Sequence, residues 1–341
     1  MRLLKAVFAK LLDCFFLLRI PLLAPVWTIL ILGWITGNEH AHLGGIFSGN
    51  GSLLYSEARL WLALFGFSLV VAWIYVVNQI ADIESDRINK KLFILPYGLV
   101  SVRTAWVLAA VCALTGLFVS FYFDLIMFLL FAAGLVLGYL YDLPPASLKN
   151  RAWGGTIACF LGHGVLTYLV GWYAAQYDQN LVVKIPSIPP INSNLWIQGL
   201  LASFSAGFAN AAIFVTTTIP DASGDKATGK KTFCVAYGEK KTAIAATVFC
   251  ALALVFCFFL QYNPWVMIVP AVVSLVLFIY LIVSTNRSMA FKAFKWPVFL
   301  LSAFVVFYIP LYGALIVVTF FGSKLYYHLR MGINYPTFKA Q

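Results

Sequence analysis

The acidic side chains that could do chemistry are few and clustered. Of the twelve Asp and Glu residues, five lie in two short windows: Asp82, Glu84 and Asp86, then Asp221 and Asp225. Side chains four residues apart share a face of a helix, so each window predicts a pair of aspartates on one face. Such carboxylates repel one another unless cations lie between them. Oxygen ligands without His or Cys favour Mg²⁺, so the windows predict a site for two Mg²⁺ ions.

The two windows are similar in sequence and indicate an internal repeat. Residues 78–91 (NQIADIESDRINKK) align with residues 217–231 (TTIPDASGDKATGKK), which pairs the aspartates of one window with those of the other. Asn78 lies one helical turn before the first aspartate and extends that face. Pro220 and Gly224 predict a helix that begins or frays in the second window. The repeat predicts two four-helix halves and one further span. These parts are residues 14–141, 152–284 and 297–321.

Basic residues surround both windows. Even with two Mg²⁺ ions, four carboxylates and an organic diphosphate leave a net negative charge, so a diphosphate site needs bases beside it. The chain supplies seven: Arg87, Lys90, Lys91, Lys149, Lys226, Lys230 and Lys231. In such a site, the acids bind metal, the metal binds the diphosphate, and the bases bind the remaining diphosphate oxygens.

The elements that must position these residues are membrane helices. Hydrophobic residues make up 62% of the 341 residues and charged residues 10%, which excludes an ordinary soluble domain. Long apolar runs favour helices over a barrel, whose strands are short and alternating. The runs predict nine spans: 14–37, 60–81, 104–122, 124–141, 152–175, 196–217, 243–261, 264–284 and 297–321. We therefore expect an all-α integral membrane protein.

The distribution of Lys and Arg predicts the orientation. With the N-terminus in the cytoplasm, 17 of the 23 Lys and Arg residues fall on the cytoplasmic side, together with both acidic windows. The odd number of spans then places the C-terminus on the opposite side. The net charge of +11 reflects this topology and gives no reason to expect a nucleic-acid partner.

Two basic groups lie within predicted spans. Arg19 either extends to the interface or reaches into a cavity to bind phosphate. His163, between two glycines in the fifth span, is either a packing residue or part of an acceptor site. The six cysteines show no metal-binding spacing and are expected to be inert.

The motifs together resemble the UbiA-type intramembrane polyprenyltransferases. The first motif is NxxxDxxxD at Asn78, followed by RINKK; the second is DxxxD at Asp221, followed by a GKKT turn. A third stretch, YDLPPASLKNR (141–151), is similar to the loop between the fourth and fifth spans of that family. Two positions depart from the family pattern: Phe93 replaces an Arg, and Asp142 replaces the Ser that often follows Tyr141.

The resemblance implies a bundle of nine helices around a central cavity and a set of site residues. Asn78, Asp82, Asp86, Asp221 and Asp225 would hold the metals, and the four aspartates would be catalytic. The diphosphate would contact Lys149, Arg87, Lys230, Lys90 and Arg19. Tyr141 and His163 would be further pocket residues.

The implied reaction is Mg²⁺-dependent transfer of a polyprenyl group from an allylic isoprenyl diphosphate to a lipophilic or aromatic acceptor in the bilayer. Departure of diphosphate would leave an allylic carbocation that the acceptor captures. One alternative is a terpene cyclase on the same scaffold. A more distant one is a cation-coupled transporter, although such proteins carry their acids near mid-membrane. The acceptor, the prenyl length and the oligomeric state stay open.

Overall fold

The computed structural model describes residues 2–41, 51–88, 94–176, 193–284 and 286–336, and the side chains of these except 2–6, 51–57, 85 and 88. The described residues are helical apart from turns and one isolated β-bridge. The helices are α1 (Arg2–Leu17), α2 (Ile20–Gly37), α3 (Gly51–Ala81), α4 (Ile83–Ile88), α5 (Val102–Ser120), α6 (Leu125–Asp142), α7 (Ala152–Cys159), α8 (Thr167–Gln176), α9 (Ser193–Ala227), α10 (Phe233–Tyr237), α11 (Glu239–Phe256), α12 (Trp265–Ser284), α13 (Arg287–Tyr308) and α14 (Pro310–Met331). A π-helical stretch, Phe160–Leu166, joins α7 to α8.

Within the described residues, nine helical segments are long and apolar enough to cross a membrane. They are Ile20–Gly37, Ala58–Ala81, Val102–Ser120, Leu125–Asp142, Ala152–Gln176, Ser193–Ala227, Glu239–Phe259, Trp265–Ser284 and Arg287–Tyr308. The prediction of an all-α membrane protein with nine such helices is confirmed. At the first span, Arg19 adopts a left-handed conformation (φ 56°) and separates α2 from the preceding helix α1.

The predicted ninth span, 297–321, is wrong in its boundaries. The chain leaves helical geometry at Ile309 (φ −129°, ψ 82°), between α13 and α14. The residue before a proline is disfavoured in the α region, and Pro310 lacks the N–H that would continue the helix. The ninth membrane helix therefore ends at Tyr308, and a separate helix follows it.

The C-terminal helix α14 returns to the end of the bundle at which α1 lies. The Tyr312 hydroxyl donates to the carbonyl of Ala24 in α2, and Arg330 binds Asp13 of α1 through Nε–Oδ1 (3.0 Å) and Nη2–Oδ2 (2.9 Å). Tyr326 also donates to this buried carboxylate, at 2.7 Å. The last turn of α14 therefore lies beside α1, whereas the membrane side of each terminus stays a prediction.

Glycines allow α2 and α8 to pack with their backbones in contact. A Cβ atom added at Gly33 would lie 2.1 Å from the Tyr168 carbonyl oxygen, and one at Gly171 would lie 1.8 Å from that of Leu30. Close approach through small residues is a common way to pack helices in membranes. This contact fixes α8, and with it the π-helical stretch that carries His163.

Candidate active site

The first acidic window forms one continuous face across the junction of α3 and α4. The Asp82 N–H donates to the Asn78 carbonyl (3.0 Å), and the Asp86 N–H donates to that of Asp82 (2.8 Å). Helical hydrogen bonding therefore continues past Ala81, where α3 ends. The three side chains lie one turn apart, as the spacing predicts, with Asp86 buried and Asp82 partly buried.

The second acidic window lies inside α9, not at a helix start. Helix α9 continues through Pro220 and Gly224 to Ala227, so the prediction that it begins or frays there is wrong. The Pro220 carbonyl oxygen is satisfied by the Arg287 guanidinium at 2.7 Å. This contact joins α13 to α9 at the start of the second acidic window.

A turn after α9 places Lys230 beside Asp225. Gly229 has φ 74°, a conformation that glycine adopts without strain. The Lys230 N–H then donates to the Asp225 carbonyl (2.9 Å), and the Thr232 hydroxyl donates to the Asp225 carboxylate (2.8 Å). The GKKT sequence is therefore the turn that returns the chain to the acidic face.

Two lysines from different loops contact Asp82 of the first acidic window. The Lys149 ammonium lies 2.8 Å from Asp82 Oδ2, and the Lys230 ammonium lies 3.9 Å from Asp82 Oδ1. Lys149 belongs to a short 3-10 turn, and the Lys231 N–H donates to the carbonyl of Asn150 in that turn at 3.0 Å. The loop after α6 and the turn after α9 are thus bound together. Bases from both loops converge on one carboxylate of the first window.

Asp142 is a site residue that the sequence interpretation did not include among its candidates. It is 2% exposed, and its Oδ1 accepts from Asn78 Nδ2 at 2.6 Å and lies 3.1 Å from the Lys149 ammonium. The available signal was its departure from the family pattern, an acid at the end of a membrane helix and next to Tyr141. Burial and pairing of this acid could only be seen in the fold.

A cavity of about 180 Å³ lies beside the acidic face. Its polar lining includes Arg19, Asn78, Tyr141, Asp142 and His163. Its apolar lining includes Phe67, Val71, Leu137 and Leu166. His163 lies on the π-helical stretch, and such stretches often occur at functional sites. The structure thus brings both basic residues of the predicted spans, Arg19 and His163, to one cavity.

Two predicted diphosphate contacts are not placed at this site. Arg87 is exposed and pairs with Glu84 at 3.2 Å, so its guanidinium is not among the bases that meet Asp82. Lys90 lies outside the described residues, as does Phe93. Burial, assisted by the charge of Glu239, raises the pKa of the Cys234 thiol in α10, which favours its neutral form; that the cysteines are inert stays a prediction.

The donor set fits Mg²⁺. Among the described residues, no three His, Cys, Asp or Glu side chains are gathered as a ready-made metal cluster. Mg²⁺ does not need such a cluster, because it keeps several waters and takes one or two carboxylates together with substrate phosphates. The amide of Asn78 and the carboxylates one and two turns beyond it supply oxygen donors on one face. The ammonium groups of Lys149 and Lys230 neutralise part of the negative charge of Asp82.

Comparisons with known proteins identify the family. The UbiA prenyltransferase family matches residues 26–305. The chain belongs to this family. A digeranylgeranylglyceryl phosphate synthase of Sulfolobus acidocaldarius is 30% identical over 231 residues, which cover 66% of this chain and 75% of that protein. A 2-acyl-4-prenylphloroglucinol 6-prenyltransferase of Humulus lupulus is 28% identical over 202 residues, 58% of this chain and 47% of that one. The match thus spans about half the length of the hop protein.

Solved structures share the fold. A UbiA homolog from Archaeoglobus fulgidus, bound to DMAPP and Mg²⁺, has a TM-score of 0.63 at 17% identity, covering 90% of this chain and 99% of that one. A digeranylgeranylglyceryl phosphate synthase structure has a TM-score of 0.62 at 21% identity, covering 88% and 99%. These likenesses confirm the helical membrane fold that the motifs implied.

Proposed function

We propose that this protein transfers a polyprenyl group from an allylic isoprenyl diphosphate to a lipophilic or aromatic acceptor within the membrane. The observation that carries the proposal is the convergence of Lys149 and Lys230, from two different loops, on Asp82 beside an apolar cavity. Family membership and the prenyltransferase names of the relatives support the same reaction class.

The acidic faces hold the cations in this proposal. Asn78, Asp82, Asp86, Asp221 and Asp225 would bind two Mg²⁺ ions, directly or through water. Bound Mg²⁺ would neutralise negative charge on the diphosphate leaving group. The positive charge of Mg²⁺ would also compete with the lysines for the carboxylates. The ammonium groups would then become available to the diphosphate.

The bases and the cavity act on the two ends of the donor. Lys149 and Lys230 would donate hydrogen bonds to the diphosphate oxygens and stabilise charge as the carbon–oxygen bond breaks. Arg19, Arg87 and Lys90 are further candidates for this role. The cavity would hold the prenyl chain away from water, and aromatic faces such as Phe67 could stabilise the allylic cation until the acceptor captures it.

Two aspartate variants test the proposal. Full-length protein in lipid nanodiscs would be incubated with geranylgeranyl diphosphate, Mg²⁺ and a panel of acceptors, and released diphosphate and prenylated products would be measured. Asp82→Ala and Asp221→Ala should abolish Mg²⁺-dependent release, because each removes a metal ligand. Glu84→Ala is the matched control, since Glu84 is exposed and on another face of the same window. Near-normal turnover in either aspartate variant would rule out the metal assignment.

The same incubation without acceptor tests the cyclase alternative. A cyclase would release diphosphate and form cyclic hydrocarbons from geranylgeranyl diphosphate alone, which mass spectrometry detects. A transporter is the weaker alternative, because Asp82 and Asp225 both lie close to helix ends.

We also propose that the N-terminus and the active-site loops face the cytoplasm, as the Lys and Arg bias indicates. Labelling of single cysteines placed at Lys10 and Lys231 by a membrane-impermeant reagent, in right-side-out and inverted vesicles, tests this. Labelling of either site from the outside would contradict it.

A further inference from the structure

Four residues that join α1 to α14 form a cluster outside the part of the chain that matches the family. The match covers residues 26–305, and both helices lie outside it. The buried Asp13 carboxylate accepts from the Arg330 guanidinium at 3.0 and 2.9 Å and from the Tyr326 hydroxyl at 2.7 Å. The Phe16 and Tyr326 rings stack with their centroids 3.9 Å apart. Charge-assisted hydrogen bonds of this kind fix geometry, so the cluster, here called the latch, holds α1 against α14.

Helix α1 leads directly to Arg19. One residue lies between the end of α1 and Arg19, which has φ 56° and ψ 45°. This left-handed conformation is disfavoured for a residue with a Cβ atom and persists only where the surroundings hold it. The latch residues Asp13 and Phe16 belong to the last turns of α1 before this point, and the Gln79 amide of α3 donates to the Leu17 carbonyl at 2.8 Å. The placement of α1 therefore determines the direction in which the Arg19 side chain leaves the backbone.

The Arg19 guanidinium offers a positive charge to the cavity. Arg19 lines this cavity, and its guanidinium carbon lies 5.9 Å from the centroid of the Tyr75 ring. Among the described residues, no carboxylate forms an ion pair with it. Burial raises the pKa of Tyr327 and of Tyr335, and the positive charge of Arg19 opposes this rise. Both tyrosines belong to the C-terminal segment, α14 and residues 332–336, so this segment lies within electrostatic range of Arg19.

We propose that α14 positions Arg19: through the latch it holds α1, and with it the Arg19 guanidinium, in the orientation that binds the diphosphate of the prenyl donor. This inference rests on the proposed transferase function and adds a role for a helix outside the family match. Asp13, Tyr326 and Arg330 do not line the cavity, so they act as positioning residues. Without the latch, the end of α1 loses its contacts with α14. Ordering the Arg19 side chain then costs part of the affinity for diphosphate.

Variants of the latch test this role by equilibrium binding to full-length protein in nanodiscs. The probe is geranylgeranyl S-thiolodiphosphate with Mg²⁺, a donor analogue that ionises slowly. Arg19→Met should weaken its binding about 10- to 100-fold, the effect of hydrogen bonds to a charged group. Arg330→Met should weaken it about three- to tenfold, which is part of the same contribution, and Arg330→Lys should recover most of the loss because it keeps the charge. Lys324→Met, an exposed lysine of the same helix, is the matched control and should change nothing.

Two further measurements separate positioning from folding. Geranylgeraniol lacks the diphosphate, so its affinity should be the same in every variant. Tyr326→Phe removes one hydrogen bond to Asp13 and keeps the stacked ring, so it provides a milder variant if Arg330→Met does not fold. It should weaken binding of the diphosphate probe about two- to threefold.

The double variant Arg19→Met with Arg330→Met decides whether the latch acts through Arg19. If it does, the second substitution has no further effect on affinity for the diphosphate probe, because the two effects are coupled. The inference is overturned if the loss from Arg330→Met is the same in both backgrounds, if neither latch variant weakens binding, or if geranylgeraniol loses affinity equally. Unchanged affinity in Arg19→Met would overturn it as well and leave the transferase function intact. Failure of the unmodified protein to bind the diphosphate probe with Mg²⁺ would instead contradict the proposed function itself.

Discussion

Replacing Lys149 by methionine should weaken catalysis and strengthen Mg²⁺ binding at the same time. The ammonium lies 2.8 Å from Asp82 Oδ2, and both side chains are largely buried, at 10% and 19% exposed. At an effective dielectric constant of about 20, charges this close attract by roughly 6 kcal/mol before the cost of desolvation. In the proposed mechanism this ammonium moves from Asp82 to the diphosphate. Its removal therefore changes both Mg²⁺ binding and catalysis.

The two effects have different expected sizes. Loss of one charge-assisted contact to the leaving group should lower kcat about 100- to 1000-fold. If about a quarter of the attraction to Asp82 survives desolvation, removing the competing ammonium lowers the Mg²⁺ concentration for half-saturation about tenfold, since 1.4 kcal/mol is a factor of ten. Diphosphate release by nanodisc-embedded protein, titrated with Mg²⁺, measures both quantities.

Controls separate this exchange from loss of folding. Lys149→Arg keeps the charge and should keep the Mg²⁺ dependence close to that of the unmodified protein. Lys240→Met removes an exposed lysine at the start of α11 and should change neither quantity. Lys149→Met also leaves the buried carboxylate of Asp142 without its paired ammonium, and the melting temperature of each variant shows whether this loss destabilises the protein. A Lys149→Met protein that melts normally, with kcat within about twofold and an unchanged Mg²⁺ requirement, would refute the reasoning.

Two further predictions concern stability. Arg330→Met should lower the free energy of unfolding by about 1–3 kcal/mol, because it leaves the buried carboxylate of Asp13 without its guanidinium. Thermal unfolding measures this change, and Lys324→Met is the control. Equal melting temperatures for the two variants would contradict the prediction. Gly171→Ala should destabilise the protein by about 1–3 kcal/mol, because the added methyl group meets the backbone of α2, whereas Gly322→Ala has open space and should be neutral or slightly stabilising. Equal melting curves for the two glycine variants would contradict the close packing.

Much of the fold could be predicted because the relevant signals are local. Apolar runs of about 20 residues follow from the thickness of the bilayer, and they identified all nine membrane helices. The face formed by Asn78, Asp82 and Asp86 follows from helical periodicity. The boundaries failed where tertiary contacts or proline chemistry intervened. Arg287 joins α13 to α9 at Pro220, a contact that no local pattern reports.

The chemical types of the candidate site residues were available in the sequence, but their grouping was not. Arg87 and Lys149 are both bases near an acidic window, yet one pairs with Glu84 in solvent and the other is buried against two carboxylates. In the sequence, Asp142 is a departure from a family loop motif. In the structure, its carboxylate contacts both Asn78 and Lys149. The metal ligation, the repeat halves and the membrane orientation remain predictions that the experiments above address in part.

Membrane helices and aspartates that share a helical face could be predicted from the residues alone, because hydrophobic length and the 3.6-residue period act over neighbouring residues. Which charges meet could be seen only in the packed bundle. The contacts of Lys149 with Asp82 and Asp142, of Lys230 with Asp82, and of Arg330 with Asp13 join residues far apart in the chain. Such pairs form where desolvation and attraction balance in a packed bundle, and that balance depends on every helix around them.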